Sequence, residues 1–471
     1  MYHPDPQIRS LDGGYYDEVG VAVFPQPRLR FRNQRAAGEV GLEGTSDAEW
    51  MDYFSNFSPL PDNLSKPLAL RYHGHQFTHY NPQLGDGRGF LHAQLRDHRG
   101  RLLDLGTKGS GTTPWSRGGD GRLTLKGGLR EVLAAEQLQA LGVPTCRIFS
   151  LVETGEELVR YDEPSPTRAS VMVRLSHSHI RFGTFQRLAW YKDRPRMDRL
   201  VAYVHEHYYP QEEPNPVALL AAVARRTAET VAGWMVAGFV HGVLNTDNMN
   251  ITGESFDYGP WRFIPHYDPD FVAAYFDEGG LYAYGRQATM VGWNLQQLAR
   301  ALELLVPAAE LAKSLELYEP AVQSAFQRRL LLRLGLHSAG PVQDARLVER
   351  LLSFAERSRV GWDQLFFDWY GGLASEARAA VAPTAKTYSG PSFVAFREQL
   401  EHHAPRHPER LHHPFFQGDH PPSMLITEVE ALWDAISHTN HWELLDQKVE
   451  AIRQIGEVFP DLGAQEAEAA G

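Results

Sequence analysis

Residues 241–260 read HGVLNTDNMNITGESFDYGP. The stretch follows Val217–Val240, a run that is apolar nearly all round, so a buried helix is expected to feed it. Asn215-Pro216 ahead of that run supplies an N-cap and a first-turn proline. The quoted stretch is rich in Asn, Asp and Gly and is expected to form loops. Asp247 and Asn248 stand side by side in it, and Asp257-Tyr258-Gly259 follows nine residues past Asn248. An Asn and an Asp from adjacent loops offer hard oxygen donors, the type that holds Mg²⁺ on nucleotide phosphates. Both are also ordinary turn residues, but a buried helix that delivers them to one place favours a site.

Upstream the pattern is strand-like. Gly89–Asp97 (GFLHAQLRD) and Arg101–Gly106 (RLLDLG) flank a turn at His98–Gly100, as in a hairpin. Thr107–Gly121 (TKGSGTTPWSRGGDG) holds too many glycines for a helix or strand. Leu125–Leu141 has helical periodicity and stops at Gly142 and Pro144. Cys146–Glu153 and Ser170–Leu175 read as strands, while residues 1–66 show turn signals and few periodic runs. Downstream, helices are expected at about Trp293–Leu305, Ala308–Leu317, Pro320–Leu334 and Asp344–Arg357. His402–Pro422 carries six histidines, but its prolines and spacing form no tight ligand pair. Gln465–Gly471 is small, polar and expected to fray. This order predicts an α+β, bilobal, protein-kinase-like fold. Residues 1–175 would form a strand-rich nucleotide-binding lobe with one key helix, and residues 176–471 a mainly helical lobe with the metal and catalytic loops.

Composition narrows the function. The 471 residues are 43% hydrophobic and 22% charged, as in a globular protein. No apolar run is long enough to span a bilayer, and the first residues lack a signal-peptide pattern. A cytoplasmic protein without membrane contact is expected. Cys146 is the one cysteine, which excludes a disulfide within the chain and a CxxC zinc site. The net charge of −12 speaks against a nucleic-acid partner. Between Asp86 and Arg130, however, nine Lys and Arg face four acids. A local basic zone on an acidic protein suits a small anion.

Kinase chemistry supplies a reading for several residues. A strand lysine that holds phosphates and a helix glutamate that orients it would be Lys108 and Glu131. Arg174 and Arg181, in VRLSHSHIRFG, are candidates for bidentate grip on phosphate. Taken alone, Lys108 and Glu131 read more readily as a surface lysine and an exposed Arg130-Glu131 pair, and salt bridges would account for the two arginines equally well. The catalytic loop departs from the kinase rule. His241 and Asn248 keep the seven-residue interval, but the position two after His241, where the base belongs, is Val243. Asp247 is the displaced acid in the same loop.

Gly74–Gly89 (GHQFTHYNPQLGDGRG), Lys108–Glu131 and Ser178–Phe185 (SHIRFGTF), with His241–Pro260 and Trp293–Arg300 (WNLQQLAR), resemble the selenoprotein-O family. These are pseudokinases that act as protein adenylyltransferases, and the motifs fall in the right order over roughly residues 40–300. The resemblance implies ATP bound in a flipped orientation, so that AMP goes to Ser, Thr or Tyr hydroxyls of protein substrates and pyrophosphate leaves. It implies Lys108 as the nucleotide-positioning lysine, Glu131 as its partner, and Gly85, Gly87, Arg88, Asp120 and Gly121 as nucleotide contacts. It further implies Arg174 and Arg181 on the distal phosphate, Asp247 as general base, and Asn248 and Asp257 as ligands of Mg²⁺, with Mn²⁺ as its alternative. An ordinary phosphotransferase and a non-catalytic nucleotide-binding scaffold are the competing readings. Two departures stand out. The family's redox cysteines, one near the C-terminus and one near Ala273, are missing, and beyond about Thr387 the similarity is poor.

Overall fold

The computed structural model describes residues 1–161 and 163–463. At its centre lies one antiparallel sheet. Its strands neighbour one another in the order Tyr16–Glu18, Leu68–Leu70, Leu91–Arg96, Leu102–Lys108, Thr167–Ser176, Arg147–Leu158 and Arg28–Arg32. A short strand, Leu123–Thr124, pairs beside Thr167–Ser176. Successive strand residues point to opposite faces. Leu103, Leu105, Val171 and Val173 pack with Trp50 and Phe54. Leu102 and Met172 join the opposite cluster, which includes Leu129 and Leu133 of the helix Leu125–Ala140. The register sets Lys108 opposite Met172 and Gly106 opposite Arg174. Lys108 and Arg174 therefore leave the same face on adjacent strands.

After Ser176 the chain is mainly helical, through Phe182–Trp190, Arg194–Tyr208, Pro216–Ala237, Gln287–Leu302 and Tyr318–Arg333. The largest buried cluster runs without a break from Leu129 and Leu138 into Phe182, Leu220 and Leu295. The architecture is α+β, as expected. Asn215 caps Pro216–Ala237 by accepting from Val217 N and Ala218 N at 3.1 and 2.9 Å. That helix ends at Ala237, not Val240. Gly238 takes a left-handed conformation (φ 75°), and Phe239–Val240 leave the helix to pair with Arg262–Phe263. This turn aims the following loop at the sheet.

Three further differences have identifiable causes. Residues 1–66 are more ordered than their sequence suggests. Ser46 and Glu49 form a capping box on the helix Asp47–Phe54, and Asn33 caps Gln34–Glu39. Among the described residues the strand-rich part thus carries the α-helices Gln34–Glu39 and Asp47–Phe54 besides the expected Leu125–Ala140. The helix expected from Trp293 begins at Gln287, whose side chain bonds Phe239 O at 2.9 Å. Past residue 387 the chain folds back on the first part. Helix Glu443–Val458 packs against Leu125–Ala140, and Arg453 forks onto Glu136 at 2.7 and 2.8 Å.

The histidine-rich loop spreads its side chains. His403 meets Asp344 at 2.9 Å, His407 meets Asp461 at 3.1 Å, and His420 meets Gln364 at 2.8 Å. Cys146 is fully buried, and burial pushes its thiol well up from the ordinary range. Among the described residues no helix is long and apolar enough to cross a membrane. Gln465–Gly471 lies outside the described residues.

Two outcomes follow from these placements. A Cβ at Gly238 would stand 2.5 Å from Trp362 Cδ1 in a backbone region that L-residues avoid. Gly238→Ala should cost about 2–4 kcal/mol, seen as a lowered thermal midpoint, and an unchanged midpoint would contradict the assigned turn. Activity should be the same in reducing and mildly oxidising buffer, because the one thiol is shut in. A reversible change of several-fold with dithiothreitol would show that Cys146 is reachable.

Candidate active site

Beside the sheet lies a cleft of about 730 Å³, walled by glycine loops on one side and by the 241–260 loops on the other. Gly85, Gly87, Arg88, Lys108, Asp120 and Gly121 line the first wall. Arg174 and Arg181 line it at depth, and Asp247, Asn248 and Asp257 line the second wall. Glu131 lies behind Lys108 rather than in the lining. The glycine loops are held to each other. Thr113 Oγ1 donates to Asp86 O and Ser116 Oγ to Gly87 O, both at 2.5 Å.

Asp257 is the centre of the charges. Its Oδ1 takes Arg174 at 2.6 Å and Lys108 at 3.4 Å, and its Oδ2 takes Arg181 at 2.6 Å. Lys108 is also paired with Glu131 of the helix Leu125–Ala140. Burial alone would raise the Asp257 carboxyl, but Arg174, Arg181 and Lys108 outweigh it and hold it well below the usual range. The Asp257 backbone sits at φ 61°, in the left-handed region. Asp tolerates that region better than most side chains, and such strain collects at functional positions. Phe256, one residue earlier, slides its ring against both guanidinium groups, 5.0 Å from Arg174 and 4.6 Å from Arg181.

The two loops are fixed to one another. His241 Nε2 lies 3.1 Å from Phe256 O. Thr246 receives His75 N at 2.7 Å and donates to Gln186 at 2.6 Å. Arg181 donates to Asp247 O at 2.7 Å. The Asp247 side chain is the exception. Its Oδ1 is closed off from solvent and has no hydrogen-bond partner among the described residues. Gly74 leaves room for it, since a Cβ there would stand 3.1 Å from that oxygen. Burial pushes the Asp247 carboxyl up to about 6, against the pull of Arg181. Asn248 Nδ2 donates to Val243 O at 3.0 Å.

Some expected residues stand apart from this centre. Asp120 is exposed at the mouth and pairs with Arg160 at 2.8 Å. Arg88 is exposed, and its side chain has no ion pair or hydrogen bond among the described residues. One participant escaped the sequence reading. Asp86, inside the GDGR motif, lies 3.5 Å from Arg181 and accepts from Leu70 N at 3.0 Å. Burial raises its carboxyl while Arg181 opposes the rise. The motif itself was the available signal, with its carboxylate passed over in favour of the glycines.

Cationic side chains at the base of the cleft and glycine loops at its wall make a binding place for a polyanion. The comparisons with known proteins name the class. The chain belongs to the family described as protein adenylyltransferase SelO, whose model matches residues 2–453. It is therefore a nucleotidyltransferase. Curated relatives named protein nucleotidyltransferase YdiU align almost end to end. The one from Gloeobacter violaceus is 44% identical over 456 residues, covering 93% of this chain and 92% of the relative. The one from Trichormus variabilis is 42% identical over 469 residues, covering 96% of each. The match past residue 387 corrects the expectation that similarity fades there. The helices folded back onto Leu125–Ala140 belong to the family's common body.

The charge centre predicts how one substitution behaves. Asp257→Ala leaves Arg174, Arg181 and Lys108 crowded without their shared carboxylate, a change worth roughly 3–5 kcal/mol when a buried pair is broken. The thermal midpoint should fall, and pyrophosphate should restore more of it in the variant than it adds to wild type. A variant as stable as wild type, with no extra response to pyrophosphate, would contradict the hub.

Proposed function

We propose that the chain transfers AMP from ATP to a Ser, Thr or Tyr hydroxyl of a protein, with ATP turned round relative to ordinary kinases. The sheet-bearing part, residues 1–175, and the helical part, residues 176–471, act as the two lobes of a kinase-like body. The observation that carries this reading is the Asp247 carboxylate, which lines the cleft without an ion pair among the described residues, across from the Arg174, Arg181 and Lys108 cluster. In an ordinary kinase the base would stand at Val243, which has no proton acceptor.

In the proposed pose the β- and γ-phosphates lie deep, against Lys108, Arg174 and Arg181. Glu131 pairs with Lys108 and aims it. Gly85, Gly87, Arg88, Asp120 and Gly121 close round the rest of the nucleotide. The α-phosphorus then faces Asp247. Asp247 takes the proton of the acceptor hydroxyl, the acceptor oxygen bonds to the α-phosphorus, and the bond from that phosphorus to the bridging oxygen breaks. Pyrophosphate departs with its charge held by the arginines and lysine. Asn248 and Asp257 suit a hard divalent cation once the phosphates draw Arg174 and Arg181 off the Asp257 carboxylate. Both offer oxygen, and the Asn248 amide nitrogen is already spent on Val243 O, which leaves the amide oxygen as its free end. Mg²⁺ held there would neutralise charge on the phosphate oxygens.

The test separates the two nucleotide poses. Removing one Arg–phosphate contact costs about 2–3 kcal/mol, or about 30- to 150-fold in affinity. Arg181→Ala should weaken ATP binding by that much and leave AMP binding nearly unchanged, as read by calorimetric titration. The thermal midpoint should fall as for Asp257→Ala, because Arg181 pairs with Asp257 in the same buried cluster, so the titration is run well below the midpoint of the variant. ATP affinity that barely moves would turn the reading toward ordinary phosphotransfer.

A further inference from the structure

Among the described residues six aromatic side chains are exposed, and all but Tyr161 gather round one hairpin, Gly74–Asn81. At its tip Phe77 is 37% exposed, and its ring lies 5.9 Å from Phe276, which is 44% exposed. Tyr275, 80% exposed, stands 5.1 Å from Phe276. On the hairpin's other edge Trp190, 57% exposed, stacks on Tyr80 at 5.0 Å, and Tyr191 lies 5.6 Å from His73. Scattered apolar residues on a surface need no explanation, whereas a contiguous aromatic rim marks a binding surface.

This rim is built onto the catalytic loop. Phe77 N donates to Asn245 Oδ1 at 3.1 Å, and Tyr282 OH donates to the same oxygen at 2.7 Å. Asn245 is two residues before Asp247. Gln76, next to Phe77, lines the cleft. On the far side Asp277 fixes the aromatic segment by accepting from Leu281 N and Tyr282 N, both at 2.8 Å. Phe77 and Thr78 both sit at positive φ, 48° and 65°, so the tip holds its ring outward at a backbone cost. The segment 268–278 also carries Asp270 and Glu278, both exposed and without an ion pair among the described residues.

We propose that the rim seats an extended segment of the protein that receives the adenylyl group. An aromatic or aliphatic side chain of that segment packs on Phe77, Tyr275 and Phe276, and a basic residue faces Asp270 and Glu278. The proposal rests on the adenylyl-transfer reading and adds its acceptor specificity. A hydroxyl that reaches Asp247 belongs to a chain that must cross the cleft's edge, and the hairpin bearing Phe77 meets that cleft through Gln76 and lies beside Asp247 through Gly74. Peptide recognition of this kind uses an anchoring side chain in an apolar seat and places the reacting residue by its distance from the anchor.

The test uses the full chain, Mg²⁺, α-labelled ATP and short synthetic peptides with a central Ser, Thr or Tyr. Wild type should label peptides with a flanking Phe, Leu or Arg about tenfold better than versions with Ala or Glu there. The double variant Tyr275→Ser, Phe276→Ser should lose that ranking while calorimetric ATP affinity and the thermal midpoint stay as in wild type. Phe276→Leu, which keeps an apolar surface, should retain it. The same ranking in wild type and double variant overturns the proposal. So does self-labelling without any peptide labelling, or a change of oligomeric state in the variant in place of a changed ranking. Absence of all labelling by wild type, self-labelling included, defeats the transfer reading itself and this inference with it.

Discussion

One carboxylate shared by three cations governs the site. Asp257 meets Arg174, Arg181 and Lys108 on a single pair of oxygens, and Lys108 carries Glu131 behind it. Buried charges are tolerable only when each finds a partner, so none of these residues can be moved alone. The elements that deliver them are tied together by the same demand. Arg174 and Lys108 come from adjacent strands, Arg181 from the turn into Phe182–Trp190, Glu131 from a helix across the sheet, and Asp257 from a loop far along the chain. A polyphosphate brings the kind of charge that can replace Asp257 on the arginines. The cluster is thus organised around one anion and able to accept another.

The rest of the fold keeps that cluster in register. The helix carrying Glu131 is pressed from outside by Glu443–Val458, with Arg453 gripping Glu136 and Lys126 reaching Glu430 at 2.7 Å. Gly238 ends the long helix early enough for Phe239–Val240 to pair with Arg262–Phe263. The two loops that bear Asp247 and Asp257 therefore leave one small sheet side by side. His241 bridges them through Phe256 O. Asp247 is left as the carboxylate with an unclaimed oxygen in the middle of claimed ones.

Local rules explain what was legible in the sequence. Asn215-Pro216 and Gly142 after Ala140 are start and stop signals that act within one turn of helix, and the structure uses both. The capping box of Ser46 and Glu49 was equally local and was overlooked because residues 1–66 lack long apolar runs. The end of Pro216–Ala237 was only partly local. Gly238 is a left-handed stop, but Val236, Phe239 and Val240 carry the apolar pattern past it, and Phe239–Val240 are taken up by pairing with Arg262–Phe263, outside the helix. The site divides the same way. Residue chemistry pointed to Lys108, Glu131, Arg174, Arg181, Asp247, Asn248 and Asp257, and the family resemblance added Gly85, Gly87, Arg88, Asp120 and Gly121; all line one cleft except Glu131, which lies beneath it. Which carboxylate each arginine takes depends on contacts between distant segments, and so the pairing of Arg181 with Asp86 and Asp257 had no signature in spacing.

The central claim is that the α-phosphorus, not the γ-phosphorus, meets the acceptor beside Asp247. The direct measurement incubates the chain with Mg²⁺ and ATP labelled at the α- or the γ-phosphate in separate reactions. Protein should take label from the α-phosphate, while the γ-label appears in pyrophosphate. Protein labelled from the γ-phosphate would contradict the claim.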